Sequence, residues 1–67
     1  MIYEIYAEYG TIHHKHMIDC DSLEMAIQLA DTIAQSKSVK YVTISAWDEL
    51  NLKYKKHYRI EVYSNEQ

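Results

Sequence analysis

Residues 21–35, DSLEMAIQLADTIAQ, are the one stretch of this chain with a helical signature. Leu23, Ala26, Ile27, Ala30, Ile33 and Ala34 recur at helical spacing and form one apolar stripe, with Leu29 on its border. Asp21 followed by Glu24 predicts a capping-box start with Asp21 as N-cap, for a helix over about 21–36. A single amphipathic helix must bury its stripe against something, and every flanking segment reads as strand.

Residues 2–9, IYEIYAEY, put Ile5 and Ala7 on one face and Glu4, Tyr6 and Glu8 on the other. Gly10 is the expected source of the positive φ in a tight turn, after which residues 11–19 return as a second strand. That turn sets Glu4 opposite Lys15, Tyr6 opposite His13 and Ala7 opposite Ile12. Residues 39–47, VKYVTISAW, form the strongest strand pattern, with Val42, Ile44 and Ala46 inward and Tyr41, Thr43, Ser45 and Trp47 outward. Asp48 to Asn51 carry turn chemistry, with Asn51 in the left-handed position of a three-residue loop. The last strand, 53–63, places Tyr58, Ile60 and Val62 inward, and His57, Arg59, Glu61 and Tyr63 outward. This loop aligns Val42 with Tyr58, Trp47 with Lys53 and, less comfortably, Asp48 with Leu52.

The expected fold is therefore α+β, a ββαββ chain whose four-stranded antiparallel sheet carries one helix on one face. A crossover placing the first strand between the second and third gives the order 2-1-3-4. With 67 residues, no Pro and a single Gly, the chain reads as one domain with short turns, 1–67. The tail, residues 64–67, is expected to fray. The second face of the sheet then has nothing to cover it. It would present Tyr6, Tyr41, Thr43, Ser45, Trp47, Arg59 and Tyr63.

Charge narrows the function classes. Residues 1–52 hold three basic and eight acidic side chains, a balance of −5, whereas residues 53–67 hold four and two, a balance of +2. An acidic chain with one basic strand lacks the footprint of a general nucleic-acid binder. Apolar runs are too short to span a bilayer, no secretory leader pattern is visible, and one Cys makes no internal disulfide. Those features predict a cytoplasmic protein with no membrane partner.

Four groups of residues suggest chemistry. HHKH at residues 13–16 puts His14 and His16 on one side of a strand, spaced to reach one metal. No spacing fixes His57, Cys20 or Asp19 as a third ligand, and edge-strand histidines explain the pattern without an ion. Cys20 precedes the helix N-terminus, where a thiolate is favoured, yet it also reads as a small apolar side chain beside the cap. Asp19, Asp21 and Glu24 are accounted for by helix-start electrostatics. KYKKHYR, residues 53–59, interleaves bases with aromatics as single-strand nucleic-acid sites do, and lysines on an edge strand also block aggregation. With no phosphate loop, nucleophile elbow or catalytic triad pattern, no enzyme activity, cofactor or metal is expected.

The expectation that remains is a protein-interaction module, whose partner-binding residues are Tyr6, Tyr41, Thr43, Ser45, Trp47, Lys53, Lys55, Arg59 and Tyr63. The same face would also suit a homodimer. Single-stranded RNA on the face and the 53–59 strand is the alternative, and a His/Cys metal-binding protein a further one. In size, acidity and the plan of hairpin, DSLEMA-type helix and closing hairpin, the chain resembles small phage- or prophage-encoded proteins. These include anti-CRISPR and other anti-defence inhibitors. The resemblance implies a protein that binds and blocks a host protein or nucleoprotein complex, and it carries over no individual residue.

Overall fold

A computed structural model describes residues 1–11 and 14–61 of the chain. Its elements are β1 (Ile2–Tyr9), β2 (Lys15–Cys20), α1 (Leu23–Ala34), β3 (Val39–Asp48) and β4 (Lys53–Glu61). The four strands form one antiparallel sheet in the order β2-β1-β3-β4, as the crossover argument predicts. Ile12, His13, Val62, Tyr63 and the tail lie outside the described residues.

The core is a single layer between α1 and one face of the sheet. Ala26, Ala30 and Ala34, spaced by one helical turn, are fully buried against Ile5, Ala7, Val42 and Ile44. Methyl side chains let the helix backbone approach the sheet closely, so the larger residues pack at the margins of the contact. Tyr3, Tyr9, Met17, Leu29, Ile33, Tyr58 and Ile60 are those margins. Leu29 belongs to them and Ile27 does not: Ile27 is 44% exposed, which reverses the placement expected from the stripe. The closest packing follows the Ala26–Ala30–Ala34 line, and Ile27 sits round the helix from it.

The helix starts one residue later than the capping box predicts. Ser22 is the N-cap, in extended conformation, and its hydroxyl accepts from the Met25 amide at 3.3 Å. Asp21 is therefore outside the helix, and Glu24 supplies first-turn negative charge without closing a reciprocal box.

Both hairpins have longer loops than expected. Gly10 does not take a positive φ, and a Cβ there would meet Lys40 only at ordinary distance, 3.5 Å. Among the described residues of the first loop it is His14 that is left-handed, at φ 59°. The second strand consequently begins at Lys15, and the register becomes Glu4 opposite Asp19, Tyr6 opposite His16 and Ala7 opposite Lys15. In the second hairpin Leu52, not Asn51, is left-handed, at φ 53°. Asp48 then faces Lys53 instead of Leu52, Trp47 faces Tyr54, and Val42 faces Ile60. The inward and outward sets of β4 from His57 to Ile60 survive this two-residue shift because alternation has period two.

Asp48 builds the second loop. Its Oδ1 accepts from the amides of Leu50 (3.0 Å) and Asn51 (3.3 Å), and its Oδ2 from Asn51 Nδ2 (2.7 Å). The Asn51 side-chain hydrogen bond, then the two amides and the Lys55 charge, hold the Asp48 carboxyl below its ordinary pKa.

Each outer strand is interrupted by a bulge, opposite Ile5/Tyr6 on β2 and opposite Ala46/Trp47 on β4. Lysines sit beside both interruptions: Lys15 on β2, and Lys53, Lys55 and Lys56 on β4. Bulges and lysines on both edges work against strand addition by another chain.

Two outcomes test this description. Ile44 is fully buried at the centre of the layer, and Ile44→Ala should lower the unfolding free energy by about 2–5 kcal/mol in urea titration. A depressed Asp48 pKa stabilises the fold above the ordinary carboxylate range, and that stability is lost as pH falls through the depressed value. Thermal melts should therefore decline below about pH 4, and Asp48→Asn should make that decline shallower.

Candidate functional site

No described element covers the face of the sheet opposite α1. Strand pairing arranges its side chains in four rows running across the strands. Ile2, Trp47 and Tyr54 make the first; Asp19, Glu4, Ser45 and His57 the second. His16, Tyr6, Thr43 and Arg59 make the third, and Glu8 and Tyr41, with the backbone of Glu61, the fourth.

Of the residues the sequence assigns to a partner, the structure gathers Tyr6, Tyr41, Thr43, Trp47 and Arg59 on this face. Ser45 lies there too, but it is only 3% exposed, and its hydroxyl is 2.8 Å from His57 Nδ1. It is a floor under larger side chains. Lys53 opposes Asp48, which shares the helix side with Val42, Ile44 and Ala46, so Lys53 stands on the other face. Lys55 is the bulge residue, and its charge acts on Asp48. Tyr63 lies outside the described residues.

Tyr54 takes the place that alternation gave to Lys53 and Lys55. The bulge inserts one residue, which brings Tyr54 to the face of His57 and Arg59. Nothing local in KYKKHYR announces a bulge. The available signal was charge: a four-residue loop pairs Asp48 with Lys53, whereas a three-residue loop sets Asp48 against Leu52.

The face is an organised polar-aromatic surface. Trp47 and Tyr54 meet edge to face at 4.8 Å, and Tyr54 lies 5.4 Å from His57. Tyr6 stacks on His14 at 4.5 Å and is tilted against His16 at 5.3 Å. His14 and His16 thus flank a tyrosine, and His14 belongs to the loop and not to a strand. The Arg59 guanidinium rests over the Tyr41 ring at 3.9 Å. Glu8 Oε1 accepts from the Tyr41 hydroxyl (3.4 Å) and from the His14 amide (3.2 Å), while His16 Nε2 meets Asp19 Oδ1 at 2.6 Å.

Glu4 is the centre of this network. Its Oε1 accepts from both the Tyr6 and the Tyr54 hydroxyls, each at 2.8 Å. Tyr54 reaches it across β3, over the small Ser45. Both phenols are held above the ordinary pKa. For Tyr6 burial is the first cause and the Glu4 carboxylate the second; for Tyr54 the hydrogen bond to Glu4 comes first.

Among the described residues no three His, Cys, Asp or Glu side chains come together as a metal site. His13 of the HHKH run lies outside those residues. Cys20 is half-buried against the core, opposite Tyr3, in a groove it shares with Ile18, Met25 and Leu29. No family model, curated protein or solved structure matches the chain.

The two raised phenols give a direct test. A raised phenol pKa means that the neutral hydroxyl is favoured by folding, a contribution present below the ordinary phenol range and lost as pH climbs through the raised one. Ultraviolet titration of Glu4→Gln should return Tyr54 towards the ordinary range. Tyr6 should return only in part, because its burial remains. Unchanged curves would show that Glu4 does not hold these hydroxyls.

Proposed function

We propose that the chain is a non-enzymatic protein-interaction module that binds its partner with the uncovered face of the sheet. The observation carrying this reading is the collection of Tyr6, Tyr41, Trp47, Tyr54 and Arg59 on one face, held in place by mutual contacts. Tyrosine, tryptophan and arginine are the side chains that dominate interface energetics, and rings already fixed lose little entropy on binding. Bulges and lysines on both edges leave the faces as the surfaces suited to contact.

A protein partner fits better than single-stranded RNA. Glu4, Glu8 and Asp19 stand among the rings, Lys53 and Lys56 lie on the helix side of the sheet and the Lys55 charge acts on Asp48, so of the basic strand only His57 and Arg59 join the aromatic surface. A second copy of the chain is the competing occupant. Cys20 without a disulfide partner suits a reducing cytoplasm, and among the described residues no helix is long and apolar enough to cross a membrane. The outline shared with small phage-encoded inhibitors makes bacterial defence complexes the first partners to test, with blockade of the complex as the activity.

Trp47→Ala and Tyr41→Ala should each weaken partner binding about tenfold or more while leaving the far-ultraviolet circular dichroism unchanged. The partner is recovered by affinity capture from a bacterial lysate and then titrated in purified form. Wild-type affinity in both folded variants would rule out this face, and a dimeric mass disrupted by the same changes would identify the second copy as its occupant.

A further inference from the structure

The open face carries, at Glu4, a carboxylate that no lysine or arginine compensates among the described residues. Glu4 and Asp19 are directly opposed on neighbouring strands and on the same side of the sheet, an arrangement of like charges that costs stability. Asp19 has His16 beside it at 2.6 Å, but no lysine or arginine among the described residues pairs with Glu4. One Glu4 oxygen is saturated by two phenol hydroxyls at 2.8 Å, and the other has no protein donor among the described residues. The two hydroxyls fix the carboxylate's position, so the second oxygen is a preorganised acceptor. Around it stand the Tyr6, Tyr54 and Trp47 rings, with Trp47 and Tyr54 set edge to face.

A carboxylate with one open oxygen, a second carboxylate opposite it and aromatic rings beside it matches one ligand chemistry. We propose that Glu4 is the seat of an arginine side chain from a basic segment of the partner protein, its guanidinium hydrogen-bonded to Glu4 and stacked against Tyr54 and Tyr6. This deepens the protein-binding reading and rests on it. Arginine is favoured over lysine because a planar guanidinium satisfies a carboxylate and an aromatic ring at once, whereas an ammonium acts as a strongly hydrated point charge. The face already shows that mode of contact internally, in Arg59 over Tyr41 at 3.9 Å. Filling the site would also relieve the Glu4–Asp19 repulsion, so binding should stabilise the fold.

The probe is a short capped Gly-Arg-Gly-Arg-Gly peptide, titrated into the intact chain at low ionic strength, with lysine and glutamate counterparts as controls. Trp47 fluorescence and backbone amide shifts are the readouts. Saturable binding of the arginine peptide is expected, with shifts gathered on Glu4, Tyr6, Asp19, Trp47 and Tyr54, weakening as salt is added. Glu4→Gln keeps an acceptor for the phenols, and it should fold normally while binding the peptide about tenfold more weakly. Equal affinity in Glu4→Gln, shifts elsewhere on the molecule, or no saturation overturns the site. A lysine peptide binding as tightly overturns the arginine assignment, and a glutamate peptide doing so overturns the charge argument. If Trp47→Ala abolishes partner binding but Glu4→Gln does not, the face stands and this seat falls. If instead neither Trp47→Ala nor Tyr41→Ala affects the partner, the face reading falls, and the peptide titration still decides the seat alone.

Discussion

The contact of Ala26, Ala30 and Ala34 with Ile5, Val42 and Ile44 is what the rest of the structure depends on. Alanine at that line lets the helix sit close on the sheet, and in so short a chain it concentrates the buried apolar area in one layer. Since one helix covers one face, every strand must separate its residues by side. Ile5, Val42 and Ile44 define the inner set, and the alternation of β1 and β3 makes Glu4, Tyr6, Tyr41, Thr43 and Trp47 the outer one.

That arrangement leaves the two outer strands with unpaired edges, and the fold treats both alike. A bulge breaks the regular hydrogen-bonding rhythm of β2 and of β4, and lysines stand beside each break. On β4 the bulge has a second effect: it moves Tyr54 to the outer face and turns Lys53 towards Asp48. A feature that protects an edge thus also determines the chemistry of the surface. The outer face becomes aromatic and carboxylate-bearing, with Arg59 and His57 as its basic members, and this composition supports the proposed protein partner over a polyanion.

On that surface the network around Glu4 links strands that are not neighbours. Tyr54 on β4 donates to Glu4 on β1 across the width of β3, a span allowed by the small, buried Ser45 between them. Rings and carboxylates are therefore held in position by the fold itself. The like-charged Glu4–Asp19 pair is at odds with the otherwise consistent sheet, and local conflicts of this sort concentrate where a surface serves something besides folding.

By itself the sequence determined the element order, the helix and its apolar stripe apart from Ile27, the two faces of β1 and β3, and the strand order through the crossover rule. Each follows from periodicity or connectivity, which are local or topological properties. It also placed Tyr6, Tyr41, Thr43, Trp47 and Arg59 together, since alternation alone carries them to one side. Only the tertiary structure decided the registers. Loop length and bulges shift a strand by one or two residues at little local cost, and the choice is made by packing across the sheet. Hence, among the described residues, His14 and Leu52 are left-handed and Gly10 and Asn51 are not, and Asp48 found Lys53. The site's centre was hidden for the same reason. Glu4, Tyr6 and Tyr54 meet because three strands align, and residues separated by 50 positions in the chain share no sequence signal of that meeting.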